Sequence, residues 1–233
     1  MADHNAKLSL PSFFDIVQVM ATEFLSKYEF DNISVKRKYN CAWVISKALA
    51  KIFRMPNWDE KVICETYFIQ ISGVKVCIET KMITENNEVL AIAHDEFCVI
   101  DLEKRRICRL KDIHFEGFEV YDPYLNYEFS SIDISMSSDE SNNHVHVNYC
   151  DIDFSLHTNN VSYVRYIIND LGYNFIKENT IDLFEIHYLK ESRIGDELLV
   201  HGKIDEGLST YHIDKSGVTI CKALIHFQKN NEL

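Results

Sequence analysis

The chain has 233 residues, of which 46% are hydrophobic and 26% charged, so it can bury a core and does not have the composition of a disordered protein. Its formal net charge of -12 disfavours nucleic-acid binding, because contacts to phosphates depend on clustered Lys and Arg. No apolar run reaches the ~18–20 residues that cross a bilayer, and the polar N-terminus lacks the layout of a secretory signal. We therefore expect a cytoplasmic protein without membrane contacts, and the odd, scattered set of 7 Cys predicts reduced thiols.

The first half of the chain predicts one amphipathic helix followed by antiparallel hairpins. Apolar residues recur at spacings of three and four from Pro11 to Tyr28, which is typical of a helix with one buried face. The stretches that follow have the composition of strands and are separated by turn residues. These predicted strands are Ala42–Phe53, Lys61–Ser72, Lys75–Thr84 and Glu88–Asp101.

The same order returns in the second half, which indicates an internal duplication. A short strand at Val145–Cys150 and a helix at Asn160–Lys177 precede four further predicted strands: Ile181–Leu189, Glu197–Asp205, Ser209–Asp214 and Val218–Gln228. Each helix must bury its apolar face against its own sheet. The prediction is an α+β fold of two modules, residues 1–129 and 144–233, joined by a polar linker of residues 130–143.

The densest polar cluster lies just before the second predicted helix. If residues 151–157 are extended, alternate side chains share a face. Asp151, Asp153, Ser155 and His157 then lie on one side, and Ile152, Phe154 and Leu156 on the other. Asn159 and Asn160 can cap the helix, whose free N–H groups could polarise a carbonyl oxygen. Helix capping and a surface histidine are the simpler interpretation, and spacing alone does not decide between the two.

The segment D-I-D-F-S-L-H-T-N-N-V-S-Y, from Asp151 to Tyr163, resembles the signature D-x-D-x-N-x-H-x-N-N-x-x-Y of acyl-carrier-protein thioesterases. These are double hot-dog enzymes of bacteria and plant plastids. Segments of the first module agree with that family, among them Met55–Trp58 and Phe97–Asp101, and Tyr188–Ser192 resembles the strand that carries the family's catalytic acid.

The resemblance implies two tandem hot-dog modules, each an antiparallel sheet wrapped around a long helix, with the acyl chain held by the first module. It places Asp153, His157 and Glu191 in a catalytic site of the second module. Ser155 departs from the family's Asn, and a hydroxyl cannot present two donors at once. Asn159 and Asn160 are expected to bind the substrate carbonyl through helix N–H groups.

The implied reaction is hydrolysis of the thioester of fatty acyl-acyl carrier protein to free fatty acid, as in fatty acid biosynthesis, with no metal or other cofactor. The implied partner is acyl carrier protein with a phosphopantetheine-linked acyl chain, and a homodimer remains open. Because that carrier is acidic, the basic runs Lys36–Lys38 and Lys104–Arg106 are candidate docking residues. Two alternatives are an acyl-CoA thioesterase and a non-catalytic acyl-thioester-binding protein, the latter suggested by Ser155.

The sequence also contains one pair of metal-ligand residues outside this motif. His144 and His146 share a strand face near Cys150, but no further ligands follow at a convincing spacing, so no metal site is predicted.

Overall fold

A computed structural model describes residues 1–134 and 141–230, and the chain divides into two compact units, Met1–Glu128 and Phe129–Leu233. The predicted linker includes residues 135–140, which lie outside the described residues. Each unit combines a long helix with an antiparallel sheet, which confirms the α+β prediction. None of the helices in the described ranges is long and apolar enough to cross a membrane.

The first unit begins with two helices and continues as a meander of strands. Its elements are α1 (Leu10–Ser26), α2 (Asn32–Tyr39), β1 (Cys41–Ile52), β2 (Val62–Ser72), β3 (Lys75–Thr84), β4 (Val89–Asp101), β5 (Arg106–Ile107) and a 3-10 helix, Leu110–Ile113. The strands pair in the order β2-β3-β4-β1, and β5 adds to β4. Helix α1 packs on β2 and β3, burying residues such as Phe13, Val17 and Ala21.

Helix α2 was not predicted from the sequence. Only Val35 is buried in it, so it lacks the apolar periodicity that reveals an amphipathic helix. Its signals are at the ends: the Asp31 carboxylate caps the N–H groups of Ile33 and Ser34, and Asn40 ends the helix in the left-handed conformation. The basic run Lys36–Lys38 therefore forms the last turn of a surface helix.

The second unit repeats this sheet. Its elements are β6 (Ser141–His146), a 3-10 helix (Tyr149–Asp151), α3 (Asn160–Glu178), β7 (Asn179–Tyr188), β8 (Glu197–Asp205), β9 (Leu208–Lys215) and β10 (Val218–Lys229). The order β7-β10-β9-β8 corresponds strand for strand to β1-β4-β3-β2, so the predicted duplication is confirmed. β6 extends the sheet beyond β8, whereas residues 1–9 of the first unit form only isolated bridges.

One element of the second unit differs from its prediction. The strand expected at Val145–Cys150 ends at His146, and the next residues form the 3-10 helix instead. The cause is local: the Asn148 N–H donates to the Asp151 carboxylate at 2.9 Å, and the Asp151 N–H returns a bond to the Asn148 carbonyl. Asx residues that satisfy the backbone in this way compete with strand pairing.

Each unit contains a buried Glu–His pair whose glutamate also accepts hydrogen bonds from main-chain N–H groups of a segment without regular secondary structure. In the first, Glu79 lies 2.7 Å from Nε2 of His94 and accepts main-chain N–H bonds from Tyr124 and Leu125. Burial acts to raise the pKa of Glu79, but the hydrogen bonds from His94, Tyr67 and these N–H groups outweigh it and the pKa is lowered. In the second unit, Glu185 contacts His187 at 2.6 Å and accepts from the Ser130 N–H.

Candidate active site

The predicted catalytic motif forms a tight turn rather than an extended segment. One carboxylate oxygen of Asp153 accepts hydrogen bonds from the N–H of Ser155 (2.8 Å), the hydroxyl of Ser155 (2.6 Å) and the N–H of His157 (3.2 Å). Leu156 has a left-handed φ of 65°, which lets the chain reverse between Ser155 and His157. The predicted alternation of faces is therefore wrong, although Asp153, Ser155 and His157 do come together.

Two consequences of the turn concern the other residues of the motif. Asp151 is used in the 3-10 helix and does not join Asp153, and its carbonyl oxygen accepts the Asn159 N–H at 2.7 Å. Phe154 and Leu156, predicted to lie on the side opposite the polar residues, are 72% and 73% exposed. Leu189 and Ile194, on the segment that carries Glu191, are exposed as well, so both site segments present apolar side chains to solvent.

His157 contacts the other polar side chains of the candidate site. Its Nδ1 lies 3.0 Å from the Ser155 hydroxyl oxygen, and its Nε2 pairs with the Glu191 carboxylate. Arg193 approaches the same nitrogen at 3.1 Å and lies 3.6 Å from Glu191. The His157 and Glu191 side chains are 27% and 38% exposed, so the group is accessible to a substrate.

The hydrogen-bond pattern fixes the proton on one side of His157. The Ser155 hydroxyl has a single hydrogen, which it donates to Asp153, so the hydroxyl oxygen accepts the proton on Nδ1 of His157. This assignment comes from the network of donors and acceptors. Nε2 is then the nitrogen that exchanges a proton, and it faces Glu191 and Arg193.

A buried hydroxyl network joins the segment of Glu191 to the turn of His157. Ser192 is completely buried, and its hydroxyl lies 2.7 Å from those of Thr158 and Tyr163. Its carbonyl oxygen accepts the Thr158 N–H at 2.8 Å, and its N–H donates to the Tyr163 hydroxyl at 3.1 Å. Ser192 thus fixes the spacing between its neighbour Glu191 and His157.

The N-terminus of α3 begins directly after this turn. The Asn159 side chain caps it by accepting the Val161 N–H at 2.9 Å, and the Asn159 carbonyl accepts the Ser162 N–H. The Asn159 N–H is itself bound to Asp151, so it is not available to a ligand. Among residues 1–134 and 141–230, the Asn160 N–H has no hydrogen-bond acceptor and is the donor of this turn that a carbonyl could approach.

Sequence reasoning missed Arg193, Thr158 and Tyr163. Tyr163 belongs to the motif but was given no role, and Thr158 follows His157 directly. Arg193 stands two residues after Glu191, a spacing that keeps two side chains on one side of an extended segment. This spacing could have indicated from the sequence that Arg193 lies beside Glu191.

Comparison with known proteins identifies the family and agrees with the fold. Residues 1–118 match the model of the acyl-ACP thioesterase N-terminal domain, and residues 134–229 match that of the acyl-ACP thioesterase C-terminal domain. The chain belongs to the acyl-ACP thioesterase family. It is accordingly a thioester hydrolase that acts on fatty acyl-acyl carrier protein, with two hot-dog modules.

Solved structures of this fold cover nearly the whole chain. An acyl-ACP thioesterase from Bacteroides thetaiotaomicron superposes with a TM-score of 0.87 at 21% identity, covering 97% of this chain and 93% of that one. A 12:0-ACP thioesterase from Umbellularia californica superposes with a TM-score of 0.82 at 14% identity, covering 98% and 93%. At these identities the superpositions establish the fold. No curated protein sequence matches the chain.

Proposed function

We propose that Asp153, Ser155, His157 and Glu191 of the acyl-ACP thioesterase fold carry the hydrolysis, with Arg193 as a positioning residue. The observation that supports this is the continuous chain of contacts from Asp153 through Ser155 to His157, and from His157 to Glu191. It links a carboxylate that orients the imidazole to a second carboxylate that can accept a proton.

Glu191 acts as the general base in this proposal. A water molecule attacks the thioester carbonyl carbon while its proton passes to Glu191, and a tetrahedral oxyanion forms. The Asn160 N–H at the start of α3 donates to that oxyanion. Glu191 passes the water-derived proton to Nε2 of His157. The carbon–sulfur bond then breaks, and the sulfur of the phosphopantetheine takes that proton from Nε2, which leaves a carboxylic acid and a thiol.

Ser155 is not the nucleophile in this mechanism. A serine nucleophile needs a base that accepts its hydroxyl proton, which in a Ser-His-Asp triad is the histidine. Here the Ser155 hydroxyl donates to Asp153 and accepts from His157, the reverse arrangement. Ser155 therefore orients the imidazole, the part that an Asn amide can take in other members of the family.

The basic runs support a docking surface for the acidic carrier. We define the basic surface as Lys36, Arg37, Lys38, Lys104, Arg105 and Arg106. All six are exposed, and the Leu102 N–H donates to the Asn40 carbonyl at 3.0 Å, which brings the last turn of α2 beside the β4–β5 turn. Lys38 pairs with Glu29 and Lys104 with Asp101, so part of this charge is neutralised. The net positive charge on an acidic protein is suited to steering an acidic partner.

The test is hydrolysis of a series of acyl-acyl carrier proteins by the purified chain. His157→Ala and Glu191→Gln should each lower turnover ~10²–10⁴-fold, the range for loss of a general acid or base. Glu197→Gln is the matched control, because Glu197 is an exposed acid of the same unit whose partner is His146. Full activity in both site variants would refute the assignment, and tight acyl-carrier binding without hydrolysis by the wild type would favour the binding-protein alternative.

Three further predictions belong to this proposal. They are that the first module holds the acyl chain, that the protein forms a homodimer, and that it is located in the cytoplasm. Crosslinking with a photoreactive acyl chain, sedimentation of the purified chain and imaging of the tagged protein would test them in turn.

A further inference from the structure

Three metal-ligating side chains converge on the sheet of the second unit, outside the residues of the proposed mechanism. His201 on β8 and His212 on β9 are direct cross-strand partners, and Asp214 follows two residues later on the same face. The imidazole rings stack with centroids 4.3 Å apart and planes inclined by 12°. One ligand atom from each of the three side chains lies within 4.8 Å of the others.

Two buried polar atoms of this cluster have no hydrogen bond. They are Nδ1 of His201 and Oδ1 of Asp214, for which the described part of the chain provides no partner. His201 and His212 are only 6% and 5% exposed, so water does not readily replace the missing partners. Nε2 of His201 lies 3.9 Å from Oδ2 of Asp214, which is too long for a hydrogen bond. Buried polar atoms without partners are costly and are uncommon unless a ligand or function accounts for them.

We propose that His201, His212 and Asp214 bind a divalent transition-metal ion of the Zn²⁺ type. Two imidazoles and one carboxylate form a donor set that suits such ions and leaves positions for water. Ligand atoms around a tetrahedral zinc lie roughly 3.4 Å apart, given bonds of about 2.1 Å. Binding requires the two stacked imidazole rings to reorient so that one nitrogen of each points at the same ion, while strand pairing fixes their backbones.

The cation beside His212 on the neighbouring strand does not compete for the Asp214 carboxylate. Lys222 on β10 is the cross-strand partner of His212, and its ammonium donates to the Ile132 carbonyl oxygen at 3.3 Å. An ion at the site would join β8 to β9 through the side chains of His201, His212 and Asp214. We expect it to stabilise the second unit, since a ligand that binds only the folded state raises the free energy of unfolding.

The His144 and His146 pair provides a matched control. Both are exposed, and Nδ1 of His146 pairs with Glu197 at 2.6 Å. They belong to the same unit and would bind metal only as a loose surface pair. Metal bound there would be insensitive to changes at His201.

The experiment uses the full chain after chelator treatment, titrated with Zn²⁺ and separately with Co²⁺. The wild type should bind one equivalent and unfold at a higher temperature with Zn²⁺. His201→Gln and His212→Gln should each weaken binding at least ~10-fold and remove the thermal shift, because each deletes one of three ligands. The double variant His144→Gln/His146→Gln should bind as the wild type does.

Several outcomes would overturn the proposal: no stoichiometric binding by the wild type, unchanged binding in the His201 and His212 variants, or loss of binding in the surface-pair control. A thiolate-to-cobalt charge-transfer band would also overturn it by assigning the ion to cysteines. Circular dichroism without metal checks the fold of each variant. Asp214→Asn, which keeps the shape of the side chain, provides an independent variant if the histidine changes prevent folding.

Discussion

The hydroxyl oxygen of Ser155 lies 3.0 Å from Nδ1 of His157 while its hydrogen is donated to Asp153. Ser155 therefore bridges the orienting carboxylate and the imidazole, where a direct Asp–His contact would otherwise be needed. In the proposed mechanism, this bridge lets the chain keep the family's chemistry with Ser in place of Asn. The Ser155 hydroxyl makes this bridge with its single hydrogen, whereas the amide of an Asn would have two N–H hydrogens.

Replacing Ser155 tests this bridging role. Ser155→Ala leaves Nδ1 of His157 without its acceptor, and the loss of one hydrogen bond should lower turnover roughly 10-fold. Ser155→Asn should restore turnover to the wild-type level or above it, since an amide oxygen can accept from His157 and the amide nitrogen can donate to Asp153. Steady-state kinetics on acyl-acyl carrier protein measures both. A burst of covalent acyl-enzyme in the wild type would contradict the role, because it would make Ser155 the nucleophile.

Arg193 should act as a positioning residue through its contacts with His157 and Glu191. Arg193→Ala removes the guanidinium that approaches both, and we expect turnover to fall about 10-fold with KM little changed, the cost of about one polar contact. Arg193→Lys should recover only part of the loss, since an ammonium lacks the guanidinium's planar fork. The neighbouring exposed Lys190, changed to Ala, is the control for a general effect of charge. Equal losses in both variants would remove the specific role of Arg193.

The sequence predicted most of the fold because hairpins and the two long helices have strong periodicity. Helix α2 was missed because its one buried residue, Val35, produces no periodic pattern. The motif indicated the candidate site residues, but it did not predict their geometry. The Asp153 carboxylate holds three local hydrogen bonds, and these override the alternation of faces that an extended segment would have. His201 and His212 meet only through strand register, which no local pattern in the sequence indicates.

The basic surface should matter for the carrier and not for a small thioester. The triple variant Lys104→Glu, Arg105→Glu, Arg106→Glu should raise KM for acyl-acyl carrier protein about 10-fold, because it reverses the charge that attracts an acidic partner. KM for acyl-CoA should change much less. Added salt should reduce the difference between variant and wild type, since it screens exposed charges. Lys229→Glu, an exposed reversal in the second unit, is the control, and equal effects on the two substrates would show that the surface has no carrier-specific role.

Asp95 should make the stability of the protein depend on pH. It lies on β4 between Ala48 and Ile78 of the neighbouring strands and is 2% exposed. Burial raises the pKa of Asp95 from 3.8 to about 7. The folded state therefore holds this proton over a range where the unfolded state has lost it. The contribution of Asp95 to the free energy of unfolding is therefore most favourable below about pH 4. It is lost progressively as the pH rises to about 7, and the total loss is at most about 4 kcal/mol.

The variant Asp95→Asn cannot ionise, so its free energy of unfolding should fall less than that of the wild type between pH 5 and pH 8. Urea unfolding at several pH values measures this difference, and the other titrating groups contribute equally to both proteins. Asp122→Asn, a change at an exposed acid of the same unit, should follow the wild-type curve. Parallel curves for Asp95→Asn and the wild type would mean that Asp95 ionises in the folded protein as it does in the unfolded chain, and that burial imposes no cost on its charge.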